Sequence, residues 1–238
     1  MTDAPRLKHK YGRIDKDYAM ALATRAPEDD GPIYMVNLMK YHEVAQYSDD
    51  AGVEKPITGR EADDRYNPAS ILAKIGATIV FVGDVISNRS GDEDWDRIAI
   101  VRYATRKSFI DMQSRKDFGE KHVHKAAGMQ RTIIVCCRPE DLSLDQRGRP
   151  QSDDNQLVAM IVRQTTDRNA AFRSMPGAVN LAAEGTIIGD GRPWDTVQFV
   201  PVQSAEQLQS VVDGLPTYAR GEAFVMGVRA SMDSITKG

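Results

Sequence analysis

The chain has 238 residues, 41% hydrophobic and 27% charged, with a net charge of -3, an ordinary globular composition with enough apolar residues to bury a core. That slightly acidic balance excludes a broad nucleic-acid footprint, which calls for a basic stripe. No stretch approaches the ~18 uninterrupted apolar residues of a spanning helix, and the first residues lack the apolar centre of a signal peptide, so a cytoplasmic protein with no membrane partner is expected.

In chain order, residues Asp15 to Arg25 predict a short helix that opens on an acidic residue and ends before Pro27, closing an N-terminal extension over 1–31. Ile33-Tyr-Met-Val-Asn-Leu-Met39 is a nearly continuous apolar run that suits a strand covered on both faces. The polar stretch from Tyr41 to Thr58, with Gly52 and Pro56, reads as a long loop, and long ordered loops are often functional. Gly59 to Ile75 carries helical signals broken at Pro68, with Gly76 as the C-terminal cap. Ala77 to Val82 and the segment from Trp95 predict a β-hairpin joined by Gly91-Asp-Glu-Asp94. Those three acidic residues read as a solvated turn. Lys107 to His124 spaces Phe109, Met112 and Phe118 as a helix does, and Thr132 to Cys137 closes the unit as a strand. The adjacent Cys136 and Cys137 point to opposite faces there, so they read as two buried thiols rather than a disulfide or a metal site.

Residues 32–138 thus run β-α-β-β-α-β, the order of a ferredoxin-like unit, and the polar segment 139–155 reads as a linker. A second, trimmed copy is expected over 156–238. Its strands are Leu157 to Val162, a short Thr186 to Ile188, Trp194 to Val202 and Ala223 to Ala230, and its helices Asn169 to Ala183 and Ala205 to Val212. The two tryptophans mark the duplication: Trp95-Asp-Arg-Ile-Ala-Ile-Val101 matches Trp194-Asp-Thr-Val-Gln-Phe-Val200, and Pro68 to Gly76 matches Pro176 to Gly185. The expected fold class is α+β: tandem ferredoxin-like repeats packed sheet to sheet, each burying the apolar face its helices leave open.

Pro32 to Leu38, Gly59 to Tyr66, Gly76 to Gly83, and Trp95 to Tyr103 with the following Phe109 resemble a domain family within the dimeric α+β-barrel superfamily. Two repeats are fused here where such proteins usually pair separate chains. The resemblance implies an intramolecular pseudo-dimer and a small-molecule pocket in the cleft between sheet and helices. It extends to cofactor-independent oxygenases, cyclases, isomerases, lyases and some haem enzymes, so it does not name a reaction.

All four histidines, His9, His42, His122 and His124, precede the linker, which assigns any acid–base site to the first repeat and leaves the second as a structural partner. His42, on the loop after the first strand, and His122 are the candidate bases, each weighed against a solvated position, for His122 a helix end beside Lys121 and Lys125. His122 and His124 lie about 200° apart around a helix, so no metal site is assigned. Asn37 interrupts an apolar strand and either holds a substrate carbonyl or oxyanion or is satisfied by backbone. Arg102 alternates with Ile98 and Ile100 and needs an anionic partner, a protein carboxylate or a substrate carboxylate or enolate. Tyr41, Tyr66 and Tyr103, with His124, are candidate substrate contacts. The expectation is a cofactor-independent lyase, cyclase or isomerase acting on an aromatic or β-keto-type small molecule. A cofactor-free oxygenase and a non-catalytic binding module are the alternatives, and a homodimer of two such chains is left open.

Overall fold

Strand lengths and the parity of their apolar residues decide the architecture. The computed structural model describes residues 11–48, 51–53, 56–145, 155–164 and 175–236. Among these the strands are β1 (Arg13–Ile14), β2 (Ile33–Tyr41), β3 (Thr78–Ser90), β4 (Arg97–Tyr103), β5 (Met129–Pro139), β6 (Leu157–Arg163), β7 (Val179–Gly189), β8 (Thr196–Val202) and β9 (Ala223–Asp233). The helices are α1 (Lys16–Ala23), α2 (Gly59–Tyr66), α3 (Ala69–Lys74), α4 (Arg106–Gln113), α5 (Lys116–Gly128) and α6 (Ala205–Asp213). The strands form one antiparallel sheet in the order β1-β7-β5-β2-β4-β3-β9-β6-β8. Because β7 also pairs with β8, strands β2 to β9 close into an eight-stranded barrel, and β1 adds to β7 alone.

This closed barrel overturns the expected tandem ferredoxin-like arrangement of two sheets packed face to face. The outer strands are too long to end at their own unit. β3 runs for 13 residues and pairs with β9 from Phe81 to Ser90, while β5 pairs with β7 from Ile134 to Pro139. Joining these edges satisfies backbone groups that two stacked sheets would leave open. The expected helix from Asn169 to Ala183 is also corrected: its last residues begin β7, an 11-residue strand, and its first lie outside the described residues. Val179 and Leu181 obey a strand period, pairing with Phe199 and Val197 of β8.

Strand parity divides the interior from the outer surface. In β2, Tyr34, Val36 and Leu38 point into the barrel, joined by Ile98 and Ile100 of β4, Ile133 and Val135 of β5, and Phe199, Phe224 and Met226 from the other half. Both tryptophans are interior as well, Trp95 and Trp194 contacting Phe224 at ring-centroid distances of 5.4 and 4.7 Å. The opposite parity, Ile33 and Met35 of β2, Tyr103 of β4 and Ile134 of β5, packs on the outer face beneath Tyr66, Leu72, Phe109 and Phe118 of the helices. β2 is therefore apolar on both faces for two separate reasons.

Local signals place the helices over this face. Thr58 and Glu61 form a capping box that starts α2, and Thr105 caps α4. Pro68 separates α2 from α3. Helices α2 and α5 cross at Gly59 and Gly128, where a Cβ on either would meet the other's carbonyl oxygen at 2.4 Å. Arg106, 1% exposed, locks the start of α4 to two strands. It bonds Asp30, ahead of β2, at 3.1 Å and holds Glu184 of β7 through both carboxylate oxygens. Among the described residues no helix is long and apolar enough to cross a membrane.

Candidate functional site

Between the outer face of β2, β4 and β5 and the four helices α2 to α5 lies a cavity of about 340 Å³. Its size falls at the lower end of small-molecule pockets. One end is apolar, walled by Leu72, Val101, Phe109 and Met112, while Ile134 lies level with Asn37 on the neighbouring strand. The other end carries the polar groups Tyr11, Asn37, Asp63, Arg97, His122 and Lys125.

His122 is 7% exposed and projects from α5 into this polar end. Its Nε2 lies 2.7 Å from the Tyr11 hydroxyl, and the Phe118 and Tyr66 rings pack beside it at 5.6 and 6.5 Å. Burial, reinforced by Asp63, pushes the Tyr11 phenol well above its ordinary value, so it stays protonated at neutral pH and is able to donate to Nε2. Tyr66 and Tyr103 are raised by burial in the same way.

Asn37 is 8% exposed on the outer-facing parity of β2. Its Nδ2 donates to the carbonyl oxygens of Met35 and Ala99 at 2.9 and 3.3 Å. Both neighbours are acceptors, which fixes the amide orientation. Asn37 therefore offers the cavity its Oδ1, an acceptor, and has no donor left for an oxyanion.

Lys125 follows His122 by three residues, so both side chains leave the same face of α5. Its Nζ lies 5.4 Å from the centre of the Tyr66 ring, and it makes no hydrogen bond or ion pair with any described residue. Burial pushes this ammonium below the ordinary lysine value, with Asp63 pulling the other way. Asp63 is already engaged, accepting from the Tyr41 hydroxyl at 2.6 Å and facing Arg97 at 3.6 Å. Arg97 in turn bonds Asp64 at 2.9 Å.

Of the sequence-derived candidates, Asn37, Tyr66, Tyr103 and His122 meet at the cavity, and Tyr41 stands behind it through Asp63. Arg102 does not reach it. That guanidinium has the interior parity of Ile98 and Ile100 and is held by both carboxylate oxygens of Asp145 at 2.8 and 2.7 Å. His42 lies on the loop after β2, its Nδ1 3.3 Å from Gln46, and His124 faces Tyr47 at 2.8 Å; neither lines the cavity. His9 is outside the described residues. Tyr11, Asp63, Arg97 and Lys125 are contributions that sequence reasoning missed. The spacing of Phe118, His122 and Lys125 along one helix face was the available signal for Lys125.

No family model and no curated protein matches the sequence. Two solved structures are similar to it. That of a methylated RPA0582 protein is 26% identical over 55% of this chain and 97% of its own, with a TM-score of 0.46. That of the RPA0582 protein of unknown function from Rhodopseudomonas palustris is 26% identical over 52% of this chain and 95% of its own, with a TM-score of 0.43. At these TM-scores neither likeness bears on the fold or the function.

Proposed function

We propose that the cavity binds a small, largely apolar carbonyl compound of the aromatic or β-keto type, and that His122 and Tyr11 move a proton at the carbon beside that carbonyl. One observation carries the reading: a buried imidazole–phenol pair opens, next to a lysine without a carboxylate partner, into a cavity whose far end is apolar. In its neutral form the imidazole accepts the proton, directly or through the Tyr11 hydroxyl, whose bond to Nε2 holds the ring in place. The electron pair released at carbon becomes negative charge on the carbonyl oxygen. Lys125 supports that charge from the same helix face, in surroundings where a charge contact is stronger than in water. The apolar end fixes the rest of the molecule and keeps water from the carbanion. Proton transfer of this kind is common to lyases, cyclases and isomerases.

The test is exchange of carbon-bound hydrogen for deuterium beside the carbonyl, followed by proton NMR across a panel of aryl ketones and β-keto esters. The intact chain is expected to accelerate exchange in at least one compound, equally under air and argon. His122→Ala is expected to lower the rate by about 10²–10⁴. Binding with no exchange in any compound would leave a carrier module in place of an enzyme.

A further inference from the structure

The polar end of the cavity holds a lysine that charge pairing does not explain. Carboxylates face it from α2, but Asp63 is occupied by Tyr41 and Arg97, and Asp64 by Arg97 and Arg60. Arg97 from β4 adds positive charge to the same end. What packs on the amine itself is the Tyr66 ring, with His122 on the same face of α5. A lysine kept only for its charge gains most beside a carboxylate. An amine held against an aromatic ring, with no carboxylate bonded to it, is instead shifted toward its neutral, nucleophilic form.

We propose that Lys125 is a carbonyl-condensing nucleophile that forms an imine with a small, largely apolar aldehyde or ketone in this cavity. This deepens the proton-transfer reading and rests on it for the ligand class: the iminium takes the place of the ammonium as electron sink. The Nζ lone pair attacks the carbonyl carbon, a C–N bond forms, and the carbonyl π pair moves to oxygen. That oxygen takes a proton from the imidazolium form of His122 or through Tyr11, giving a carbinolamine. The imidazole takes one proton from the nitrogen and passes it to the hydroxyl, which departs as water; the nitrogen lone pair forms the C=N bond of the iminium, and His122 is left neutral. One water is released, no electrons are exchanged with a third partner, and His122 ends in a protonation state ready to act at the adjacent carbon.

The probe is pentane-2,4-dione, which traps an imine-forming lysine as a stable enaminone with its own near-ultraviolet band. At neutral pH the intact chain is expected to gain one diketone less one water, and peptide mass mapping of that chain is expected to place it on Lys125. Lys116, whose side chain is 92% exposed, is the internal control and stays unmodified. Lys125→Arg keeps the positive charge and loses the adduct; Lys125→Met is the second variant should arginine not fit. Modification spread over surface lysines, or no adduct on Lys125, overturns the inference. The exchange assay separates it from the reading beneath. Exchange retained in Lys125→Arg with no adduct in the intact chain removes the imine and keeps His122 as base. An adduct on Lys125 without exchange keeps the imine and removes the proton transfer.

Discussion

Asn37 and Cys136 both project to the outer face of the barrel, and each sets a limit on what its position tolerates. The Asn37 amide donates to two carbonyl oxygens, so Asn37→Asp would set a carboxylate against two acceptors at a buried position. A cost on the order of 1–3 kcal/mol is expected at neutral pH. The misplaced carboxyl would have a raised pKa in the fold, so the protonated form is the one the fold tolerates. Stability of the variant should therefore recover as pH falls toward about 4 and be lost as it rises. Urea midpoints at the two ends of that range check it, and a deficit independent of pH would refute the argument. For Cys136, burial pushes the thiol from 9.0 up to about 12. The sign follows: its contribution is fully present below pH 9.0 and is lost as pH rises toward about 12, because only the unfolded chain ionises in that window. Buried phenols such as Tyr41 and Tyr103 act in the same direction. Cys136→Ala should flatten the alkaline decline in urea midpoint, and the native thiol should resist a disulfide reagent until the chain unfolds.

At the scale of elements, the site depends on how closely α5 lies on α2. The Gly59–Gly128 crossing admits no Cβ, and it fixes which face of α5 meets the strands. Gly128→Ala would force the helices apart at a cost of about 1–3 kcal/mol. The displacement falls on the helix that carries His122 and Lys125, so exchange activity and diketone labelling should drop by more than the stability loss accounts for. Thermal unfolding beside the exchange assay makes that comparison; full labelling in a destabilised chain would contradict it. This dependence also explains what the sequence left hidden. Phe118, His122 and Lys125 share a face by spacing alone, yet a face toward solvent and a face toward a cavity have the same spacing. Tyr11 was beyond reach for another reason, since residues so far apart in the chain meet only through tertiary contact.

At the scale of the whole molecule, closure of the barrel makes the two halves one cooperative body. Val36 and Ile98 from one half share an interior with Phe199 and Met226 from the other, so neither half covers its own core. A single calorimetric transition is expected for the full chain. A fragment ending before β6 should self-associate in analytical ultracentrifugation, because its inner face is apolar and its outer strands are unpaired. A monomeric, folded fragment would count against this. Phe224, packed on both tryptophans, is the point where truncation should be most costly: Phe224→Ala is expected to lose about 3–5 kcal/mol, read from denaturant midpoints.

The apolar runs, the break at Pro68 and the alternation of Arg102 with Ile98 and Ile100 were all legible in the sequence, because they are periods of the backbone itself. So was the placement of Asn37 and His122 in the half of the chain that bears the cavity. What the chain could not disclose was that the Ile98 face is the inside of a closed barrel. That fact sends Arg102 to Asp145 and Asn37 to the cavity, since adjacent strand parities point to opposite sides. Closure is decided by pairing between β3 and β9 and between β5 and β7, strands far apart in sequence. Local periodicity specifies which residues share a face; only the pairing of distant edges determines what that face encloses.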